Sequence, residues 1–406
     1  MDKKQQRLAI LALASVPLIM TLGNSMLIPI LPLLEKKLSI SKLQSSYIIT
    51  VFSIVTIFFI PLSGYLSDRF GRKKVIIPAL ILTGIGGLVS GFAAWKMDNA
   101  FIVVLIGRIL QGIGASGAMP VVIPLVSDMF EQDEEASSTL GVIETSNTIG
   151  KVLSPILGSA LTALIWFLPF FSIPVLSTIS LLLILFFIKQ KNDDEDQETF
   201  KMSEYWGQIK DVFKEHKRWL MSIFLIGAIV MFILFGFLFY SSTILEDDYD
   251  FKGVTKGFLL AIPLFALATA SYVTGKLIKD DMKKMKWIIV IGIIIAGSAT
   301  IAIPFKKHYI FLLAIFFICG AGIGMTLPCL DTIISENIEK DVRGSVTSLY
   351  SAMRFLGVAT GPPVIAILMK KQLYWMIILF VLLALIAFYL SWRKIYPDKP
   401  KSILNE

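Results

Sequence analysis

Charge, sulfur and imidazole are all scarce in this chain. Of 406 residues only 17% are charged, two are cysteine and two are histidine. Cys319 and Cys329 lie in one apolar run, too far apart along a helix to bond to each other. His216 and His308 fall in separate polar segments, so no ligand spacing assembles a metal site. No nucleophile is spaced with a base and no phosphate-cradling glycine loop occurs, so the chain reads as a non-enzyme without a cofactor. The ten-residue alternating segments of a membrane β-barrel are missing as well.

What fills the chain instead is apolar. Hydrophobic residues make up 55% and mean hydropathy is +0.76. The apolar runs are about twenty residues long, enough to cross a hydrocarbon core as helices. They predict an all-α polytopic membrane protein with twelve spans, at about 8–34, 43–67, 75–95, 100–127, 137–164, 166–188, 219–244, 253–278, 287–304, 309–335, 343–369 and 372–393. The basic start MDKKQQR precedes an apolar stretch too long for a signal peptide, so the first span is read as retained. Lys and Arg favour one set of loops by more than two to one, which predicts both termini in the cytoplasm of a multi-pass cell-membrane protein. The net charge of +8 then reports orientation and attraction to anionic lipids, with no nucleic-acid partner required. Glu131, Asp133, Glu134 and Glu135 break that trend in one inside loop.

The spans divide into two six-helix bundles, 1–188 and 219–406, joined by a polar linker at 189–218. Within the linker, Tyr205, Ile209, Val212 and Phe213 recur at helical spacing, predicting a short amphipathic helix at the interface. The bundles repeat each other. Gly112, Gly114 and Pro120 in span four match Gly320, Gly322 and Pro328 in span ten at a constant offset. Gly150 in span five matches Gly357 in span eleven with a one-residue slip. Such internal repeats mark transporters whose halves rock about a site at the membrane midplane.

The motifs resemble those of the major facilitator superfamily across essentially the whole chain. GYLSDRFGRKK, from Gly64 to Lys74, is similar to the family's loop between helices two and three. RILQGIGA, from Arg108 to Ala115, resembles the fourth-helix motif of proton-coupled members. GKVLSPILGS, from Gly150 to Ser159, resembles the fifth-helix motif of twelve-helix drug:proton antiporters, with serines where glycines are expected at 154 and 159 and an unusual Lys151. Ile28 to Pro32 and the Gly357, Gly361 and Pro362 element of span eleven extend the likeness. The resemblance implies gating by Gly64, Asp68, Arg69, Gly71, Arg72 and Arg343. In that reading Asp68 meets the N-terminus of the eleventh span near Arg343 and Gly344 when the cytoplasmic side closes. Gly112, Gly150, Pro155, Gly357, Gly361 and Pro362 are expected to let helices pack closely or bend.

Ionisable residues inside spans carry the remaining information, since each costs roughly 2–4 kcal/mol unless paired or wet. Arg108, Glu144, Lys151, Asp331 and Arg354 qualify. Asp331, Glu144 and Arg108 are the candidates for proton coupling. Asn24, Arg108, Glu144, Asn147, Lys151 and Arg354 are those for substrate binding, and Phe232, Phe235, Phe239 and Tyr240 for apolar walls. Related antiporters often carry an acid in helix one, where this chain has Asn24. Three cations against two acids point to a neutral, zwitterionic or anionic amphiphile, such as a drug or siderophore. The expected activity is proton-driven export by a monomer. Lipid flipping, and import of a nutrient such as a sugar, are the alternatives.

Overall fold

In the computed structural model, residues 3–130, 133–188, 202–278, 281–305 and 308–395 are described, and every regular element among them is helical. The first crossing is broken in two. α1 (Lys3–Ser25) ends before a 3₁₀ turn at Ile28–Ile30, and α2 (Leu31–Leu38) completes the passage. Pro29 and Pro32 each open one of these short elements, as expected of a residue with a fixed φ and no N–H to donate. The sequence had read this stretch as one span.

α3 (Lys42–Phe70) starts on a capping box. Ser41 Oγ accepts from the Gln44 amide at 3.2 Å, and Gln44 Oε1 accepts from the Ser41 amide at 2.9 Å. It ends at Gly71, whose φ of +96° reverses the chain in one residue, a conformation only glycine adopts freely. α4 (Arg72–Lys96), α5 (Phe101–Met129), α6 (Asp133–Leu164) and α7 (Leu168–Phe187) finish the first bundle. The second holds α8 (Met202–Asp247), α9 (Gly253–Ile278), α10 (Met282–Ile301), α11 (Tyr309–Asn337), α12 (Lys340–Lys371) and α13 (Leu373–Lys394).

Among the described residues eleven crossings are long and apolar enough to span a membrane, counting α1 with α2. α6 is not among them. Glu144, Asn147 and Lys151 interrupt its apolar sequence. Large side chains such as Phe58, Leu164 and Phe186 are about three-quarters exposed on the outer surface, where lipid rather than water is their natural neighbour. The protein is a multi-pass membrane protein.

The amphipathic segment expected in the linker is the start of α8, which runs unbroken for 46 residues. No proline occurs between Pro174 and Pro263 to stop it, and the Phe213 ring packs edge-on against Phe224 at 5.4 Å. Residues 189–201 of the linker lie outside the described residues.

The repeat seen in sequence is repeated in packing. α1 lies against α6 and α7, α5 against α3 and α4, and α4 against α7; likewise α8 lies against α12 and α13, α11 against α9 and α10, and α10 against α13. The bundles meet through α3 with α12 and α6 with α9, two contacts that exchange under the same correspondence. Equivalent glycines serve equivalent seams. Gly112 faces the Phe52 carbonyl of α3 and Gly320 the Pro263 carbonyl of α9, while Gly150 and Gly357 face carbonyls of α1 and α8. Gly361 meets Phe232 and Gly236 of α8. At Gly357 a Cβ would run into the Ala228 carbonyl oxygen, which is backbone and cannot swing aside. Gly357→Ala is therefore expected to cost about 1–3 kcal/mol through overpacking. A fall in unfolding temperature in detergent checks this, and an unchanged transition would mean that α12 slides past α8 freely.

Candidate functional site

The two bundles bring four charged side chains together. Glu144 and Lys151 come from α6, Asp331 from α11 and Arg354 from α12, and all four lie within electrostatic reach of one another. Arg354 Nη1 donates to Asp331 Oδ1 at 3.3 Å. These two side chains remain 19% and 40% accessible, so the pair is not sealed inside the protein. Glu144 and Lys151 lie two helical turns apart and do not bond. Instead Asn147 Nδ2 donates to both Glu144 oxygens, at 3.2 and 3.3 Å. Asn147 is buried and accepts from Thr21 Oγ1 of α1 at 2.5 Å. The Arg354 guanidinium stands 5.7 Å from the centre of the Tyr350 ring, which is itself buried against Phe224. A set of opposite charges at a bundle interface can bind a charged ligand and exchange its internal pairings for contacts with that ligand.

Accessibility along α6 is uneven. On α6, Glu144 and its neighbours Gly141, Val142 and Thr145 are exposed, Lys151 is half-buried, and Ser154, Pro155, Gly158 and Ser159 are buried. This stretch of α6 is thus open at its Glu144 end and closed at its Ser159 end, which packs on α9. At the closed end Glu246 of α8 joins both bundles. Its Oε1 accepts from Lys36 of α2 and its Oε2 from Lys256 of α9, each at 2.8 Å. The Glu246 and Lys256 side chains are only 7% and 3% accessible. Lys42 bridges to Asp247 at 2.6 Å, and Ser242 Oγ donates to the Ile28 and Pro29 carbonyls. Gly257 brings α9 onto the Pro155 carbonyl and Ser159 of α6. Sequence reasoning missed this seal. Lys256 lies inside the eighth expected span and was a signal; Glu246 lies just past the seventh and looked like a loop acid.

At the open end the loop residues are bonded within their own bundles. Asp68 pairs with Arg72, which also reaches Asp128 at 3.2 Å and Ser67 Oγ at 2.7 Å. Arg69 donates to the Tyr65 hydroxyl and lies over the Phe70 ring. Gly64 accepts from the Ser67 hydroxyl at 2.8 Å. Arg343 donates to the Ile338 carbonyl at 3.1 and 3.2 Å. Asp68 and Arg343 do not pair in this structure.

Arg108 and Asn24 lie apart from the four-charge set, inside the first bundle. Arg108 is fully buried and donates to Asn24 Oδ1 and Gln111 Oε1, both at 2.5 Å, and to the Ile48 carbonyl at 2.8 Å. Its guanidinium lies 4.4 Å from the Phe52 ring centre. Neutral acceptors and an aromatic face thus hold this cation where a helix-one acid would have neutralised it. Of the aromatic row on α8, Phe235 lines a cleft between the bundles. Phe239 and Tyr240 are buried, and Phe232 packs on Phe380. Cys319 and Cys329 are free, buried thiols.

Comparison with known proteins agrees with this architecture. The Major Facilitator Superfamily model matches residues 13–362 and 285–405. The chain is 49% identical to the bacillibactin exporter of Bacillus subtilis (strain 168), over 94% of both chains. It is 24% identical to multidrug resistance protein 2 of the same organism, over 96% of both. In fold it is similar to a bacterial homolog of the human lysosomal transporter Spinster, crystallised inward-facing and unoccupied, with a TM-score of 0.80 at 14% identity, covering 99% of this chain and 100% of that one. It is also similar to a D-xylose–proton symporter, with a TM-score of 0.75 at 14% identity, covering 96% and 97%. Membrane-crossing helices in two equivalent bundles, a charged set between them and a family match along the chain lead to one conclusion: the protein belongs to the major facilitator superfamily, as a transporter and not an enzyme.

Proposed function

We propose that the protein exports a siderophore-like amphiphile from the cytoplasm across the cell membrane, in exchange for protons, by alternating access. The observation that carries this reading is the meeting of Glu144 and Lys151 from one bundle with Asp331 and Arg354 from the other. A site shared by both bundles is remade whenever they rock, so ligand and proton occupancy can be tied to which side is open. The acids accept protons, and the cations attract an anionic or zwitterionic substrate. The name of the bacillibactin exporter supports a siderophore as cargo, and that of multidrug resistance protein 2 supports efflux.

The bias of basic residues supports both termini and the α3–α4 loop being cytoplasmic, which makes the open end of α6 the cytoplasmic one. The Glu246 seal is then the outer gate. Asp68 and Arg343 are the inner gate in its released state, and their pairing closes the cytoplasmic side in the other half of the cycle. The protein acts as a monomer, since both bundles of the site come from one chain.

Proteoliposomes with an internal pH reporter test the proposal. Bacillibactin is expected to elicit proton flux that vanishes when the pH gradient is dissipated. Flux elicited by a sugar alone, or bacillibactin movement indifferent to the gradient, would refute it.

A further inference from the structure

On the outer surface of the second bundle, aromatic rings and cations gather where α10 begins and α13 ends. Trp287, in the second turn of α10, meets Trp392, in the last turn of α13, edge to face with ring centres 5.2 Å apart. The two residues are 50% and 44% exposed, and Phe388 stacks on Trp392 at 6.0 Å. Lys283 and Lys284 are exposed about one helical turn before Trp287 and share its face. Arg393, exposed, and Lys394, half-buried, directly follow Trp392. Asp281 caps α10 by accepting from the Lys283 and Lys284 amides at 3.0 and 3.1 Å, and its other oxygen lies 3.4 Å from the Lys284 amine. The side chains of Lys283, Arg393 and Lys394 make no ion pair among the described residues. Further along the bundle, Ile291 and Ile294 continue the Trp287 face of α10, and Leu385 and Tyr389 continue the Trp392 face of α13, all exposed. A second aromatic group differs: Trp95, packed with Phe92, Phe167 and Phe171, has Lys96 lying over its own ring at 4.1 Å, the composition of an ordinary interfacial belt.

We propose that the α10–α13 patch binds an anionic phospholipid carrying two phosphodiester groups. Its cations come in two sets, Lys283 with Lys284 on one helix and Arg393 with Lys394 on the other, and the indole pair lies between them. A single phosphate meets one set; a head with two phosphates joined by a short polar bridge meets both. The indoles are amphipathic and suit the level of the glycerol groups, and the aliphatic strips below them suit the acyl tails. Free phosphate would find the cations and leave those strips uncovered, so the tailed lipid is the occupant that fits the whole surface. Seated there, it clasps the start of α10 to the end of α13. With the carboxyl terminus cytoplasmic, as proposed above, the lipid comes from the inner leaflet. Binding itself depends neither on that orientation nor on what the protein transports.

Equilibrium binding of fluorescent-tailed cardiolipin to the purified protein in a neutral detergent tests this, with unlabelled lipids as competitors. Unlabelled cardiolipin is expected to compete about fivefold or more better than phosphatidylglycerol, which has one phosphate, and phosphatidylcholine should barely compete. Replacing Lys283, Lys284, Arg393 and Lys394 together by glutamine should weaken cardiolipin binding about tenfold or more. A control with the same change of charge at the exposed Lys210, Lys214, Lys217 and Arg218 of α8 should stay within about twofold of wild type. Trp287→Leu with Trp392→Leu keeps every cation and should still weaken binding, by about threefold or more. Both sets of α10–α13 variants alter exposed or half-exposed side chains, and an unchanged unfolding temperature without added lipid checks that they fold. Equal competition by phosphatidylcholine, or an equal loss in the α8 control, would reduce the patch to general attraction and overturn the site. Equal competition by phosphatidylglycerol would overturn the two-phosphate assignment. Undiminished cardiolipin binding in the glutamine variant would overturn the location.

Discussion

Lys256→Ala is expected to destabilise the protein by about 3 kcal/mol, because it leaves the Glu246 carboxylate buried with one solvent-exposed partner. The Lys256 and Glu246 side chains are 3% and 7% accessible, whereas Lys36 is 59% accessible. An exposed lysine is hydrated and mobile, so its pairing is worth at most about 1 kcal/mol and cannot replace a buried one. Removing both buried charges should behave differently. Glu246→Leu with Lys256→Met replaces a desolvated ion pair by apolar volume and is expected to recover stability to within about 1 kcal/mol. Transport by this double variant should nonetheless fall about tenfold if the Glu246 seal is the proposed gate, which then lacks the contact that favours its closed state by about 1.4 kcal/mol. Thermal unfolding in detergent and flux in proteoliposomes measure the two effects separately. Wild-type unfolding of Lys256→Ala would show that water reaches Glu246 freely. Wild-type flux in the double variant would show that the seal is architecture only.

Asp331→Asn has the largest expected effect on coupling. Asp331 is bonded to Arg354 and faces Glu144 and Lys151 across the bundle interface. The amide keeps the shape and can still accept from Arg354, but it cannot take up a proton. Substrate-dependent proton flux is expected to fall about tenfold or more. Binding of an anionic substrate should hold or tighten, because Arg354 loses its competing carboxylate. Asp331→Glu should keep much of the flux. Undiminished proton flux in Asp331→Asn would move the coupling role to Glu144, the remaining acid of the set.

These two predictions draw on different parts of the inference. Asp331 was legible from the chain, since a carboxylate within an apolar run signals a site by its insertion cost alone. Its partner Arg354 was legible for the same reason, but the bond between them was not. Glu246 and Lys256 were passed over because charges near the ends of spans normally reach water. Arg108 and Asn24 carried signals as strong as Asp331, yet they bond inside one bundle rather than at the interface. The continuous α8 followed from a missing helix breaker that the linker's charge run concealed.

Composition and periodicity by themselves determined the helical multi-pass architecture, the two-bundle repeat and the glycines at the helix seams. Those are local properties: lipid makes a polar backbone fold into helices of a set length, and close helix contact excludes a Cβ. Tertiary structure alone decided which charges meet. Glu144 is tied to Asn147, Asp331 to Arg354 and Glu246 to Lys256, while Lys151 makes no hydrogen bond or ion pair among the described residues. A side chain's insertion cost is fixed by its type, but its relief depends on which helix faces it. That facing is set by how the two bundles dock.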